Sequence, residues 1–301
     1  MEDGSLLRFL KLTAMVLAVF LLTACGASPV DAGGIAATTA PVAQFARAIT
    51  EGTGLTVSQV ITDSVSCLHD YSLSVRQMEL VEKSRVVLIS GAGLEETMED
   101  ALAAAACVVD CSAGIALQES QGHEHTHEEE TSGHHHEEDP HIWLDPLRAA
   151  QMAENICAGL AACYPEYAAR FRENTDGLIR RLEELNAYGQ AALQELSCRE
   201  LLTFHDGFGY LAGAFHLQIL AAMEEEAGSE ASAKVLTELV GLVREHELPA
   251  VFTEVNGSPS AASVIRAETG TAVYALDMAM GGSDYFQAME YNFDTLKEAL
   301  Q

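Results

Sequence analysis

Two series of short apolar runs, each run followed by a helical pattern, flank one long helical stretch. In the first half the runs are Ile35–Thr39, Leu55–Ile61, Arg85–Ile89 and Cys107–Val109. In the second they are Leu201–Phe204, His216–Leu220, Ala250–Thr253 and Ala272–Leu276. Helical patterns fall between them: one opened by Pro41, then Ser74–Val81, Leu94–Ala106, a Gly-rich helix from Asp206, Ser232–Glu247, Ser258–Thr269 and Tyr285–Leu300. Strands that alternate with helices need crossover connections, and crossovers make parallel sheets. The expected fold is therefore α/β, with two parallel-sheet lobes over residues 34–164 and 197–301.

Asp145-Pro146 reads as an N-cap followed by proline at the first helical position, and from there to about Leu196 the pattern is helical. Tyr164-Pro165 interrupts it, which leaves a second helix over 165–196 with Phe171, Leu178, Leu182, Leu185 and Leu193 at helical spacing. A helix of about 30 residues spans on the order of 45 Å, more than one small lobe. Its heptad register is poor for a coiled coil, so the expectation is a rigid strut linking the lobes. Ser90-Gly91-Ala92-Gly93 lacks both GxGxxG and GK[ST], and is read as a tight turn rather than a phosphate loop.

Residues 1–24 form a targeting segment. Arg8 and Lys11 precede the apolar run Leu12–Leu22, which is too short to span a bilayer comfortably. The run ends in Leu22-Thr23-Ala24-Cys25, which resembles a bacterial lipobox. Cys25 would then be lipidated and open a tether over 25–33, anchoring an exported protein with no transmembrane helix of its own. An ordinary signal peptide with Cys25 incidental is the plainer alternative. Six cysteines remain (Cys67, Cys107, Cys111, Cys157, Cys163 and Cys198); about 15 connectivities are open and the sequence does not choose. No CxxC pair is present.

The net charge of −29 excludes nucleic-acid binding, which needs clustered Lys and Arg. Part of that charge is local. The loop 119–139 holds eight carboxylates and six of the eleven histidines: His123, His125, His127, His134, His135 and His136. Short His-rich tracts read as metal-binding, while a solvated acidic loop is the bland alternative. A tract without its own core suits exchangeable capture, so an ordered site is expected elsewhere. Ligands in open parallel sheets bind outside the carboxyl ends of the strands. His205, Glu254 and Asp277 each follow a strand of the second half there, and His69 and His141 sit in loops of the first. Two lobes facing across a cleft give His69, His141, His205 and Asp277 as a four-ligand set, with Glu254 nearby in a possible supporting role. Three imidazoles and one carboxylate suit tetrahedral Zn²⁺. More carboxylate-rich sites lean toward Mn²⁺, Mg²⁺ or Ca²⁺. His216 and His246 are assigned structural roles.

The blocks Ile35-Ala36-Ala37-Thr38-Thr39-Ala40-Pro41, Asp139-Pro140-His141-Ile142-Trp143-Leu144-Asp145-Pro146, Phe204-His205-Asp206-Gly207-Phe208-Gly209-Tyr210, Phe252-Thr253-Glu254 and Leu276-Asp277 together resemble the zinc- and manganese-binding lipoproteins of ABC metal importers, the ZnuA/TroA-like solute receptors. The resemblance covers nearly all of the mature chain. It implies two α/β lobes on a rigid linking helix, with metal in the cleft held by His69, His141, His205 and Asp277. The first of these departs from the family's Asp-Pro-His context, standing in Cys67-Leu68-His69-Asp70-Tyr71-Ser72. At the third position manganese receptors tend to carry Glu where this chain has His205, and zinc receptors tend to carry the His-rich loop. The expected function is extracytoplasmic capture of Zn²⁺, with Mn²⁺ as the alternative cargo, by a monomer that delivers it to an ABC permease driven by a cytoplasmic ATPase. No catalysis is expected. A zinc hydrolase, the rival from another class, would show its commonest helical signature as HExxH, and His246-Glu247 is followed instead by Leu248-Pro249-Ala250.

Overall fold

The structure, a computed structural model, describes residues 33–62, 71–119, 138–224, 232–255, 257 and 260–301. The targeting segment with Cys25, the loop with Cys67 and His69, and the histidines of the His-rich tract lie outside the described residues. The first sheet comprises β1 (Ile35–Ala37), β2 (Val57–Gln59), β3 (Val86–Ile89) and β4 (Val108–Asp110), in the order β2-β1-β3-β4. The second comprises β5 (Glu200–His205), β6 (Gln218–Glu224), β7 (Ala250–Glu254) and β8 (Ala272–Leu276), in the order β6-β5-β7-β8. Every pairing within these sheets is parallel. The two orders are the same topology: the chain starts at an inner strand, adds an edge, then crosses back to the other side. Each sheet thus has one switch point, between β1 and β3 and between β5 and β7.

The helices are α1 (Ala40–Ile49), α2 (Val75–Lys83), α3 (Glu99–Leu102), α4 (Pro146–Cys163), α5 (Ala168–Ala192), α6 (Gly209–Ala214), α7 (Ala233–Glu245), α8 (Ser260–Thr269) and α9 (Tyr285–Leu300). Pro at the first turn opens α1 and α4, and the Asp145 carboxylate accepts from Leu147 N at 2.9 Å to cap α4. Among the described residues no helix is long and apolar enough to cross a membrane. The two cores are conventional: Ile35, Val86, Leu88 and Phe45 bury the faces of the first sheet, and Leu202, Val251, Leu239 and Ile265 those of the second.

One expected helix is largely missing. Leu94–Ala106 forms a short 3₁₀ turn (Glu96–Met98) and the single turn α3. The cause lies just upstream, where Gly91, Ala92 and Gly93 all take positive φ (83°, 53° and 80°). A Cβ on Gly91 would run into the Asp110 carboxylate and the Ser112 hydroxyl, so only glycine fits. This turn returns the chain so that Glu95 points inward and caps it. Glu95 Oε1 accepts from Thr38 Oγ1 (2.6 Å) and Ser90 N (2.8 Å), and Oε2 from Gly91 N (3.0 Å). The turn that could have cradled a phosphate is filled by the chain's own carboxylate.

Helix α5 is the long strut, its first residues (Pro165–Tyr167) tightened into a 3₁₀ turn. It packs against α4 and α1 on one side and α9 on the other. Asn174 donates to the carbonyls of Ile49 and Glu51 at 2.9 Å, and about 21 Å further along the axis Tyr188 donates to Asp294 Oδ1 at 2.6 Å. Gly189 sets the contact with the second lobe: a Cβ there would stand 2.6 Å from Phe215 Cε1 and 2.8 Å from Phe293 Cζ. Ala is normally the better helix former by about 1 kcal/mol. Here Gly189→Ala is expected to lower stability by about 1–3 kcal/mol, because two buried rings must move. Urea unfolding measures it, and a stabilised variant would refute the close packing.

Burial pushes Glu95 from 4.5 up to about 7, against the pull of its three donors. A carboxyl raised in the folded state favours that state fully below about pH 4.5, and the advantage is lost as pH rises through about 7. Stability should therefore fall across that window by up to about 3 kcal/mol from this group. Glu95→Gln is expected to flatten that slope, as urea midpoints measured every half pH unit would show; an unchanged slope would mean that Glu95 ionises freely.

Candidate metal centre

The second sheet delivers three side chains to one edge. His205 is the last residue of β5 and Glu254 the last of β7, so both flank the switch point, one residue earlier than the sequence pattern suggested. Asp277 follows β8 directly. His141 comes from the other half, on the segment that leads through a 3₁₀ turn (Ile142–Leu144) into α4. The structure brings His141 and His205 face to face, both buried, with their Nε2 atoms 3.5 Å apart and their rings nearly perpendicular at 89°.

His141 is oriented from behind, and His205 has a carboxylate at longer range. His141 Nδ1 lies 2.8 Å from Asp139 Oδ1, which also accepts the backbone N–H of His141 at 2.9 Å. A carboxylate at Nδ1 holds the proton there and leaves the Nε2 lone pair facing His205, an arrangement typical of a metal-ligating histidine. Asp139 is itself fixed, because its carbonyl accepts from Tyr210 OH (2.8 Å) and its backbone N–H donates to the Gln118 carbonyl (2.9 Å). Behind His205, Glu254 Oε1 stands 4.0 Å from Nδ1, both groups buried.

Asp277 is held through its backbone. Buried Asn292 of α9 accepts from Asp277 N and donates to Asp277 O, each at 2.7 Å, as a strand neighbour would. The Asp277 Oδ1 accepts from Ala279 N (2.8 Å), which closes the turn that carries Met278. Gly207 marks how tightly these parts converge. A Cβ there would meet His205 Cδ2 and Met278 Cε at 2.7 Å and His141 Cε1 at 3.0 Å. Among the described residues no group of three or more His, Cys, Asp and Glu gathers around one point; His69 lies outside them. The stems of the His-rich tract pair with each other at Glu119 and Glu138, directly before Asp139. The two histidines assigned structural roles lie elsewhere: His246 Nδ1 is 3.0 Å from Glu200 Oε2 on the surface of the second lobe, and His216 takes a left-handed turn (φ 58°) before β6.

Sequence reasoning quoted Asp139 within its motif but gave it no role. The signal was there, in a carboxylate two residues before a candidate ligand. Tyr210, Met278 and Asn292 carried no comparable signal, since each acts through a long-range contact.

Two parallel α/β lobes on one long helix, with imidazoles from both halves meeting at the strand ends, define a two-lobed solute-binding protein. The chain belongs to the ZnuA family: the sequence model described as "ZnuA: Zinc-uptake complex component A periplasmic" matches residues 35–299. It is similar to the zinc-binding protein AdcA of Streptococcus pyogenes serotype M3, at 27% identity over 85% of this chain and 54% of that protein. It is also similar to the zinc-binding lipoprotein AdcA of Streptococcus pneumoniae R6, at 32% identity over 60% of this chain and 37% of that one. The chain thus spans about half or less of the length of these curated relatives. Among solved structures, the crystal structure of ZnuA superposes with a TM-score of 0.77 at 26% identity, covering 89% of this chain and 99% of that one.

Asp139→Asn keeps the shape of the side chain and removes its charge. The expected result is a loss of metal affinity of about 10–100-fold with little change in the thermal midpoint. Calorimetric titration checks it, and unchanged affinity would take Asp139 out of the site.

Proposed function

We propose that the chain is an extracytoplasmic zinc receptor that takes Zn²⁺ as cargo between its lobes and passes it to an ABC permease with a cytoplasmic ATPase. The observation that carries this reading is the pair of facing Nε2 atoms 3.5 Å apart. Two nitrogens bound to one tetrahedral zinc at about 2.0–2.1 Å stand about 3.4 Å apart. The spacing of the apposed imidazoles is therefore already that of two zinc ligands, and Asp139 supports His141 in the required tautomer. Asp277 at the adjoining strand end and His69 complete the proposed ligand set. Glu254 steadies His205 from the far side of its ring. Three imidazoles favour Zn²⁺ over Mn²⁺. The process is coordination without bond-making, in a monomer tethered through lipid on Cys25. The His-rich tract, whose stems adjoin the site, serves exchangeable capture when zinc is scarce.

Calorimetric titration with Zn²⁺ and Mn²⁺, with and without residues 122–138, tests the reading. One tight Zn²⁺ site that survives the deletion, with Mn²⁺ much weaker, is the expected result. His205→Ala should weaken Zn²⁺ by more than the about 100-fold ascribed to loss of a supporting group. A tight site that vanishes with the tract but persists in His205→Ala would invert the assignment, and tight Mn²⁺ binding would move the cargo to manganese.

A further inference from the structure

The C-terminal end of α4 and the start of β4 carry a feature that zinc binding does not use. The helix runs antiparallel to the strand and meets it at regular intervals. Asn155 Nδ2 donates to the Cys111 and Ala113 carbonyls at 2.9 Å. One helical turn later, Gly159 lies so close to Val109 that a Cβ would stand 2.5 Å from its Cγ2. One turn later again, Cys163 Sγ lies 3.5 Å from Cys107 Sγ. Four residues of helix rise about 6 Å and two residues of strand about 6.6 Å, so these contacts are three rungs of one register. The thiol pair is the last rung, placed by the same packing as the other two.

We propose that Cys107 and Cys163 form a disulfide in the exported protein. This rests on the extracytoplasmic placement proposed above, because disulfides persist in oxidising compartments. Moving the sulfurs from 3.5 Å to a bonding distance of about 2.05 Å closes a gap of about 1.5 Å, within reach of side-chain rotation. Both residues are partly exposed, so an oxidant can reach them, whereas Cys111 and Cys157 are buried and Cys198 belongs to the second lobe. Burial, followed by the hydrogen bond that the Cys163 thiol donates to Cys107, raises the Cys163 thiol to about 11, while the Arg85 guanidinium opposes the rise. Arg85 donates to the Cys163 carbonyl and lies over the Tyr164 ring, which holds the end of the helix in place. The oxidant is a disulfide-bearing exchange partner. One sulfur–sulfur bond breaks in the partner and one forms between Cys107 and Cys163. The electron pair and the two thiol protons leave on the partner as two thiols. The closed segment contains the whole His-rich tract and His141, so the bond ties the helix that follows the metal site to the sheet beneath it.

The test uses the full chain extracted in detergent, reduced, and re-equilibrated in a mixture of glutathione and glutathione disulfide. Free thiols are blocked with iodoacetamide and the chain is digested without reductant. The expected product is a peptide pair joining Cys107 to Cys163, two hydrogens lighter than its reduced parts, with Cys111, Cys157 and Cys198 alkylated. Alkylation of both Cys107 and Cys163, or a bond from either to another cysteine, would overturn the proposal. Reductant should lower the thermal midpoint of the oxidised chain by about 10 °C. The double variant Cys107→Ser and Cys163→Ser should be insensitive to it. An unmoved wild-type midpoint counts against the bond, and the peptide map stands even where the variant fails to fold. Zinc titration of the same samples separates the two readings: a mapped bond without zinc binding defeats only the receptor reading, and zinc binding without the bond defeats only this one.

Discussion

The indole of Trp143 holds the two halves in register. Fully buried, it donates from Nε1 to the Met278 carbonyl at 2.8 Å, and its own carbonyl accepts from Tyr285 OH at 2.6 Å. Together with Tyr210 OH on the Asp139 carbonyl, these bonds join the segment before α4 to three separate elements of the second lobe. Leaving a buried donor or acceptor unmade costs about 1–3 kcal/mol, so rotating one half against the other breaks several such bonds at once. The distance between the His141 and His205 rings is set by groups beside them and not by attraction between the rings. That separation of tasks lets the two Nε2 atoms stand 3.5 Å apart across the interface.

Much of this was legible because it depends on local patterns. Parallel α/β topology follows from alternating runs, and strand ends are where such sheets present ligands. His205, Glu254 and Asp277 could therefore be placed at one edge from spacing alone. What escaped depends on long-range packing. Leu94–Ala106 looks helical by composition, yet three successive positive-φ residues and the inward turn of Glu95 shorten it, and that follows from Asp110 and Ser112 reaching back from another strand. The role of Asp139 was readable two residues from His141 and was passed over. The Cys107–Cys163 pairing was not readable, because 15 connectivities look alike until the register of α4 on β4 is known.

The two lobes share one topology and differ in how each uses an acidic residue at its switch point. Each sheet has a switch-point crevice at the carboxyl ends of its inner strands, and each crevice holds a buried carboxylate. In the first lobe Glu95 folds back, takes three donors from Thr38, Ser90 and Gly91, and closes the crevice; Thr39 and Ser90 bond to each other at 2.8 Å beside it. In the second lobe Glu254 stays on its strand behind His205, and the imidazole looks outward across the interface. A carboxylate satisfied by backbone donors is spent on the fold. The same topology thus ties the acid into a backbone turn in one lobe and stands it behind an imidazole in the other, and the difference lies in where it falls relative to the equivalent strand: in the turn after β3, or at the end of β7 itself.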